Sequence, residues 1–401
     1  MKSVRIEFPG AQGQTLVGRL EQPVGPPRAH LLFAHCFTCT KNIRAAVNIS
    51  QALAAEGFAV LRFDFTGLGE SAGDFADTNF SSNVSDLVAA ADFLRQHYQA
   101  PSVLVGHSLG GTAVLQAAQQ IDEVVAVATI GSPARARHVE NLFAEARPEI
   151  AARGEAEVRL AGRPFTIRQQ FVDDLRAQPV PDTLRQLRKA LLVMHSPVDT
   201  IVSIDNAAEI FQNALHPKSF VSLDDADHLL SSEADSRYAG QLLAAWASRY
   251  LPANDQPAEA VAEGTVRAVT GNGYLTELQA GVHAMVADEP AAVGGSNLGP
   301  TPYGLLSAAL ASCTSMTLRM YADHKKLNVN SIEVTVEDER VHAKDCAECE
   351  TATGFAHRFE RTIDIDGDIT DQQRQRMLEI ADRCPVHRTL EGEIIISSRL
   401  R

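Results

Sequence analysis

The stretch S-V-L-V-G-H-S-L-G-G, residues 102–111, decides the fold of the N-terminal part of the chain. A short β-branched run leads into the pattern Gly-x-Ser-x-Gly, and a helical pattern follows it. This context predicts a sharp strand-to-helix turn with Ser108 at its tip, where flanking glycines are needed because side chains would clash. The serine hydroxyl is then exposed at a helix N-terminus, and the N–H of Leu109 can stabilise an oxyanion. The stretch predicts a serine nucleophile.

Short apolar runs alternate with longer helical patterns through residues 1–250. Six runs are typical of buried parallel strands: 31–35, 59–65, 102–106, 124–130, 190–195 and 219–223. The alternation predicts a mostly parallel sheet with helices on both faces. Residues 133–188 are charged, Arg-rich and helical in pattern, and we expect them to form a helical cap over the edge of the sheet.

A change of pattern divides the chain into two domains. Residues 253–264 contain few hydrophobic side chains and no aromatic one, which is typical of a linker. After it, strand-like segments bracket two helical patterns instead of alternating with them. We expect a first domain over residues 1–252, and a separate α+β domain over residues 265–401.

The serine needs a general base, and the base needs a carboxylate that orients it. In this kind of fold the acid and then the histidine follow later strands. Asp199 lies four residues beyond the strand that ends at His195, and His228 lies five beyond Leu223. We therefore predict Asp199 as the orienting acid and His228 as the base. Three nearby aspartates are interpreted as a helix-side charge and turn formers: Asp205, Asp225 and Asp227.

With these motifs, residues 1–250 resemble the α/β-hydrolase family, especially its small esterases and serine-aminopeptidase-like members. The resemblance implies an α/β-hydrolase fold, an oxyanion loop after the first core strand, and hydrolysis of carboxylic esters or related acyl bonds. The loop is His35-Cys36-Phe37, so Cys36 replaces the usual glycine, and the second oxyanion amide is expected at Phe37, beside Leu109. The turn at residues 64–71 is interpreted as structural.

Two cysteines lie on separate helical patterns of the last domain. Thr301-Pro302 suits the start of a helix on which Leu306, Leu310, Cys313, Thr317 and Met320 share a mostly apolar face. A second helix begins near Asp371, behind a capping box of Thr370 and Gln373, and its Met377, Ala381 and Cys384 share a face. The two cysteines could meet in the core, or they could be buried thiols that act as small hydrophobes.

The stretches around both cysteines resemble the OsmC/Ohr family of thiol peroxidases. They are G-P-T-P-Y-G-L-L-S-A-A-L-A-S-C and A-D-R-C-P-V-H-R-T-L. The resemblance implies an α+β domain that forms intertwined dimers, with Cys313 as the peroxidatic thiolate and Cys384 as the resolving thiol. Where the peroxidases carry glutamates at the start of the helix, this chain has Tyr303 and Gly304, and the sequence does not place the activating arginine. The alternative is a domain that serves only for dimerisation or ligand binding.

The remaining cysteines form two close pairs. Cys346 and Cys349 lie between His342 and His357, the ligand types of a zinc loop, but no second pair stands at a zinc-ribbon distance. We favour an exposed loop there over metal or redox use. Cys36 and Cys39 lie beside the oxyanion loop, where packing is the favoured interpretation.

Composition limits the partners of the chain. It has 401 residues, with 36 Lys+Arg against 50 Asp+Glu and a net charge of −14. Such an acidic balance argues against nucleic acid or an anionic membrane as the main partner. No signal-peptide or membrane-spanning run is present, so we expect a cytoplasmic protein. The predicted partners are an acyl ester, an organic hydroperoxide with a dithiol reductant, and a second copy of the chain; no cofactor or metal is expected.

Overall fold

The computed structural model describes residues 2–160, 162–251, 261–271, 273–342 and 355–400. Contacts divide the chain into two compact units, Met1–Glu259 and Ala260–Arg401, called here the N-terminal and the C-terminal unit. Most of the predicted linker, residues 253–260, lies outside the described residues. Among the described helices none is long and apolar enough to cross a membrane.

The N-terminal unit is built around an eight-stranded sheet. The described residues of this unit form ten strands, which in chain order are β1 (Lys2–Pro9), β2 (Thr15–Gln22), β3 (His30–Ala34), β4 (Ala59–Phe63), β5 (Pro101–His107), β6 (Ala126–Ile130), β7 (Glu155–Leu160), β8 (Arg163–Arg168), β9 (Ala190–His195) and β10 (Lys218–Ser222). The sheet order is β1-β2-β4-β3-β5-β6-β9-β10. β1 and β2 pair antiparallel, as do β2 and β4, and the other neighbours pair parallel. The six predicted strands are confirmed, while β1 and β2 were not predicted.

Helices cover both faces of this sheet, as predicted. They are α1 (Arg44–Ala55), α2 (Phe80–His97), α3 (Leu109–Ala117), α4 (Arg147–Arg153), α5 (Gln169–Ala177), α6 (Val180–Gln186), α7 (Asp205–Asn213) and α8 (Glu233–Ser248). Successive strand residues point to opposite faces. Leu31 and Phe33 of β3 therefore pack with α1 and α8, whereas Leu32 packs in the second cluster with α2, α3 and α7. Burial on both faces explains why the parallel strands are continuous apolar runs.

The cap over residues 133–188 is only partly helical. A 3₁₀ segment (Ala136–Ala146), α4, α5 and α6 lie there as expected, but β7 and β8 form an antiparallel hairpin between them. In β7 the buried residues Ala156, Val158 and Leu160 alternate with exposed ones. That alternation is the period of a strand with one buried face, and it was hidden in a charged segment.

The C-terminal unit has its own strands and helices. They are β11 (Val266–Thr270), β12 (Thr276–Ala280), β13 (His283–Ala287), α9 (Pro302–Lys325), β14 (Asn328–His342), β15 (Phe355–Asp368), α10 (Asp371–Ala381) and α11 (Pro385–Glu391). β11, β12 and β13 form an antiparallel sheet, and β14 pairs with β15. The predicted N-cap of α9 at Thr301 and the capping box of α10 are confirmed.

The predicted apolar face of α9 is partly wrong. Leu310 is buried, but Leu306 is 43% exposed and Met320 is 72% exposed. The buried face instead follows Ser307, Leu310, Thr314, Leu318 and Ala322. Polar Ser307 and Thr314 disguise this face in the sequence. The second prediction also needs a correction, because α10 ends at Ala381 and Cys384 is the N-cap of α11.

Candidate active site

Ser108 stands at the tip of a tight turn between β5 and α3. Its backbone has φ 55° and ψ −126°, a conformation that side-chain-bearing residues rarely adopt. A Cβ on Gly106 would lie 2.4 Å from the carbonyl oxygen of Gly110, and one on Gly110 would lie 2.4 Å from that of His35. Both positions therefore require glycine. The turn presents the Ser108 hydroxyl at the carboxyl edge of the sheet, where the predicted acid and base also lie.

The structure brings together Ser108, His228 and Asp199, which follow three different strands. Nε2 of His228 lies 3.1 Å from Oγ of Ser108, and Nδ1 of His228 lies 2.7 Å from Oδ2 of Asp199. Asp199 follows β9 and His228 follows β10, at the carboxyl ends of parallel neighbours. This geometry allows His228 to take a proton from the serine while Asp199 holds the ring in one tautomer.

The side chain of Asp199 is almost completely buried, and both of its carboxylate oxygens are hydrogen-bonded. Its Oδ1 accepts hydrogen bonds from the backbone N–H groups of Ile201 (2.8 Å) and Val202 (2.9 Å). Burial by itself would raise the pKa of Asp199, but the hydrogen bonds from His228 and from these N–H groups outweigh it. The pKa of Asp199 therefore lies below its ordinary value, and the carboxylate stays charged beside the imidazole.

Two buried histidines support the site, and sequence reasoning missed both. Nε2 of His107 lies 2.7 Å from the carbonyl oxygen of His228, and burial, followed by the charge of His228, lowers the pKa of His107 to about 4. Nε2 of His195 lies 2.8 Å from the carbonyl oxygen of Val202, and burial lowers its pKa as well. Both rings are neutral near pH 7 and hold the loops of the base and the acid. Their places at the ends of β5 and β9 could have indicated this role.

The expected oxyanion amides lie beside a small cavity. Its lining includes Phe37, Phe65, Leu68, Phe75 and Leu109. In the described part of the chain, no acceptor is hydrogen-bonded to the backbone N–H of Phe37 or Leu109. The free volume of the cavity is about 10 Å³, roughly the space of one water molecule. Two free donors beside an apolar cavity suit a carbonyl group with a small substituent.

The oxyanion loop is held by a disulfide and by an ion pair that follows it in the chain. Cys36 and Cys39 form a disulfide, with their Cα atoms 5.3 Å apart. Beyond it, the buried ammonium of Lys41 lies 2.6 Å from Oδ2 of Asp64, whose other oxygen accepts the Lys41 N–H at 2.7 Å. Oδ2 of Asp64 also accepts the N–H of Glu70, so the turn at 64–71 is structural, as interpreted from the sequence. The disulfide was not predicted, since packing had been favoured for this pair.

The C-terminal unit brings the second predicted pair together. Cys313 on α9 and Cys384 before α11 are free thiols. Burial, followed by hydrogen bonding to Cys384, raises the pKa of Cys313. Burial opposes ionisation of Cys384, but hydrogen bonds from Cys313 and from the backbone of His387 lower its pKa. The thiolate is thus better stabilised on Cys384, while Cys313 is the more exposed thiol.

An arginine that the sequence did not place lies near this pair. NH1 of Arg361 on β15 donates to Oγ1 of Thr314 (3.1 Å) and to the carbonyl oxygen of Ala381 (3.0 Å). Its NH2 donates to Oδ1 of Asp382 at 2.8 Å. These partners adjoin Cys313 and Cys384 along the chain. Arg361 lies between Phe359 and Ile363 on the same, less exposed face of its strand, and a cation on that face was the available indication.

The third predicted pair cannot be placed. Cys346 and Cys349 lie outside the described residues. His357, which follows them, stacks on Tyr303 with ring centroids 4.5 Å apart, and its Nε2 lies 3.1 Å from the tyrosine hydroxyl.

Comparisons with known proteins agree with both folds. The chain is 26% identical to the rat (Rattus norvegicus) palmitoyl-protein thioesterase ABHD10, mitochondrial, over 51% of this chain and 70% of that protein. Its sequence is 47% identical to that of an esterase domain from a Rhodothermus marinus protein. The crystal structure of that domain matches this chain with a TM-score of 0.53, and the match covers 63% of this chain and all of that one. Est1E from Butyrivibrio proteoclasticus with bound ferulic acid is 21% identical with a TM-score of 0.51, over 61% of this chain and 98% of that one, and shares the fold.

Two family models match the chain in succession. The model of the alpha/beta hydrolase family matches residues 31–294, and that of OsmC-like proteins matches residues 294–399. The chain therefore belongs to the alpha/beta hydrolase family and carries an OsmC-like domain behind its hydrolase.

Proposed function

We propose that the N-terminal unit is a serine hydrolase of small carboxylic esters and related thioesters. The observation that carries the proposal is the continuous hydrogen-bond chain from Ser108 through His228 to Asp199. Oγ of Ser108 attacks the acyl carbon while His228 takes its proton, and the N–H groups of Phe37 and Leu109 hold the oxyanion. His228 then protonates the leaving group, and water releases the acyl group by the same steps.

The cavity supports a short acyl group. The cavity beside Phe37 and Leu109 has a volume of about 10 Å³, so a long acyl chain would enter it only if the side chains around it moved. Phe37 and Phe75 form part of the cavity wall, with ring centroids 5.9 Å apart, and Phe37 stacks on Phe171 with centroids 5.6 Å apart. The rat relative is named for palmitoyl thioesters, and this chain is proposed to prefer much shorter acyl groups.

Covalent labelling with a fluorophosphonate probe tests the nucleophile. The full chain is labelled beside Ser108→Ala and a matched control, Ser50→Ala, which removes a buried hydroxyl without a hydrogen-bond partner. We expect the probe on Ser108 in the wild type and in the control, and no label in Ser108→Ala. Equal labelling of Ser108→Ala and wild type contradicts the proposal. A panel of acyl esters and thioesters from two to sixteen carbons then tests the acyl length, with the highest kcat/KM expected at the short end.

We further propose that the C-terminal unit reduces organic hydroperoxides. The neighbouring free thiols of Cys313 and Cys384, with the guanidinium of Arg361 close by, favour this function. A thiolate attacks the peroxide oxygen and releases the alcohol, leaving a sulfenic acid. The second thiol then condenses with it, releasing water and forming a disulfide, which a dithiol reductant reopens.

Hydroperoxide consumption by the full chain tests this second function. With cumene hydroperoxide and dithiothreitol, we expect turnover in the wild type and loss of turnover in Cys313→Ser and in Cys384→Ser. If the wild type consumes no peroxide, the alternative holds, and the unit serves for dimerisation or ligand binding. The choice of the initial nucleophile follows from the variant that still forms a sulfenic acid. A homodimer and a cytoplasmic location remain part of the proposal.

A further inference from the structure

The disulfide between Cys36 and Cys39 encloses the residue that is proposed to serve the oxyanion. Phe37 lines the cavity, and its ring stacks on that of Phe171 with centroids 5.6 Å apart. The disulfide closes a loop of four residues around it. A change in this bond is therefore expected to act on the proposed oxyanion amide and on the cavity wall together.

The loop holds a strained residue. Thr38 has φ 59°, in the left-handed region that β-branched residues avoid. Three contacts hold it there: the disulfide that brackets Phe37-Thr38, the hydrogen bond from the N–H of Cys39 to the carbonyl oxygen of Cys36 (3.1 Å), and the guanidinium of Arg163 in the cap, which donates to the carbonyl oxygen of Thr38. Opening the disulfide removes the only covalent one of these three contacts, so the strain can relax and move Phe37.

Chain stabilisation does not account for this bond. A disulfide constrains the unfolded chain in proportion to the logarithm of the loop it closes, and this loop is very short. The N-terminal unit already has an extensive core on both faces of its sheet. The bond therefore acts mainly on local geometry, at the edge of the proposed catalytic centre.

The two cysteine residues differ in exposure. Cys36 is 4% exposed, whereas Cys39 is half-buried. Cys39 is therefore the expected point of attack for an external thiolate, with Cys36 as the leaving group. This asymmetry is what a thiol–disulfide exchange site needs.

We propose that Cys36 and Cys39 form a thiol–disulfide exchange site whose oxidised state sets the oxyanion loop for hydrolysis. A dithiol attacks Sγ of Cys39, the bond to Cys36 breaks, and Cys36 leaves as a thiolate that takes a proton. The second thiol of the reductant then displaces Cys39, and the reductant leaves as a disulfide, having passed two electrons to the protein. A disulfide compound reverses these steps. The inference rests on the proposed hydrolase function for its catalytic consequence.

The test compares oxidised and reduced full chain. The protein is treated with dithiothreitol, freed of excess reagent without oxygen, and assayed on p-nitrophenyl acetate, with alkylation masses reporting the state of each cysteine. Losing one oxyanion donor outright costs about 10²–10³ in rate, so a displaced donor is expected to cost less, about tenfold in kcat/KM. Reoxidation with oxidised dithiothreitol restores the rate.

Cys39→Ser is the matched control for the reagent. It lacks the exchange site but keeps Cys313 and Cys384, so we expect the low rate of the reduced wild type and no response to dithiothreitol. Cys36→Ser provides the same comparison through the other sulfur. An unchanged kcat/KM on reduction of the wild type, or a persisting response in Cys39→Ser, overturns the proposal.

A readout without substrate separates this proposal from the hydrolase proposal. Hydrogen–deuterium exchange over residues 35–41 is expected to increase on reduction of the wild type and to be high in both states of Cys39→Ser. If the oxidised chain hydrolyses no ester and Ser108 is not labelled, the hydrolase proposal fails. Unchanged amide exchange, or a bond that dithiothreitol does not open in the native chain, defeats the exchange site instead.

Discussion

The two units of the chain differ in how much apolar surface they bury. In the N-terminal unit, two clusters fill both faces of the sheet, and strand residues such as Leu31 and Leu32 are completely buried. In the C-terminal unit the main cluster of buried residues is small: Leu318, Ala322, Val329, Ile365, Met377 and Ala381. Large apolar side chains there remain exposed, among them Met316 at 66%, Met320 at 72% and Ile395 at 84%.

The two units therefore differ in how much of their stability can come from a core within the single chain. Exposed apolar patches of this kind mark interaction surfaces in soluble proteins. The N-terminal unit buries a large core within one chain, and its proposed catalytic groups all belong to that chain. The C-terminal unit leaves apolar side chains uncovered, which supports the proposed dimer. The comparison therefore predicts that hydrolysis does not depend on association.

The largest expected effect comes from Asp199→Asn. An amide cannot hold the His228 ring in the required tautomer, and its NH₂ would face either the imidazole N–H or the N–H groups of Ile201 and Val202. We expect kcat for ester hydrolysis to fall about 10⁴-fold, with the oligomeric state unchanged. Steady-state kinetics and light scattering check both parts.

The exposed Asp205 gives the matched control. Asp205 is the first residue of α7, and we expect Asp205→Asn to keep wild-type kinetics. If Asp199→Asn changed only KM and left kcat intact, Asp199 would not have the proposed catalytic role. A change of oligomeric state in the same variant would break the separation between the two units.

A pH dependence is expected in the stability of the N-terminal unit. The pKa of His107 is about 4 in the folded chain against an ordinary value of 6.5, so the unfolded chain binds this proton first as the pH falls. The contribution of His107 to the free energy of unfolding is fully present above pH 6.5. It is lost as the pH falls through 4, and the loss amounts to about 3 kcal/mol. Urea unfolding, followed by the fluorescence of the single tryptophan, Trp246 on α8, measures it.

His107→Gln removes this titration while keeping a side chain that can donate to the carbonyl oxygen of His228. We expect the difference in unfolding free energy between wild type and variant to change by about 3 kcal/mol between pH 7 and pH 4. His97→Gln, at an exposed histidine of α2, should leave the slope of the wild type intact. If the unfolding free energies of wild type and His107→Gln changed with pH in parallel, the assignment of this pH dependence to His107 would be wrong.

The sequence predicted those features whose cause is local. Ser108 was recognisable because its glycines and its strand-to-helix context are contiguous, and Asp199 and His228 because each follows a strand. His107 was left without a role, although its place at the end of β5 was visible, because its partner is a carbonyl group 121 residues away along the chain. The disulfide was missed because the same spacing suits packing, and whether two sulfur atoms meet depends on the turn between them.

The C-terminal unit was harder to predict for a physical reason. Its helix α9 exposes Leu306 and Met320 in the single chain, so the apolar pattern in the sequence does not coincide with the buried face. A helix whose apolar residues lie partly on a buried face and partly on an exposed one has no single period to find. Arg361 was missed because the contacts that hold it come from α9 and the end of α10.

The next largest expected effect concerns the association of two copies of the chain. Met316 and Met320 lie one turn apart on α9 and share an exposed face. We expect the double variant Met316→Glu/Met320→Glu to raise the dissociation constant of the dimer roughly a hundredfold, because charges replace apolar anchors. Sedimentation at several concentrations measures the constant. Tyr238→Glu, at an exposed aromatic of α8, is the control and should leave it unchanged.

Hydrolysis should be unaffected in the Met316→Glu/Met320→Glu variant, since the N-terminal unit buries its own core. A proportional loss of ester hydrolysis on dissociation would show that the units are not independent. A wild type that sediments as a monomer would instead remove the interpretation of these exposed side chains as a subunit interface.

The smallest expected effect tests whether the closed packing of the N-terminal unit also sets its acyl selection. Phe75 lines the cavity and packs edge-on against Phe165, with centroids 4.9 Å apart. Removing its ring in Phe75→Ala opens space for further methylene groups, each worth about 0.8 kcal/mol when buried. We expect two such groups to raise the kcat/KM of a butanoyl ester relative to an acetyl ester by roughly tenfold. Phe211→Ala, at a partly buried ring of α7 outside this cavity, should keep the wild-type ratio. An unchanged ratio in Phe75→Ala would place the acyl group elsewhere, because a chain that occupied this cavity would respond to the lost ring.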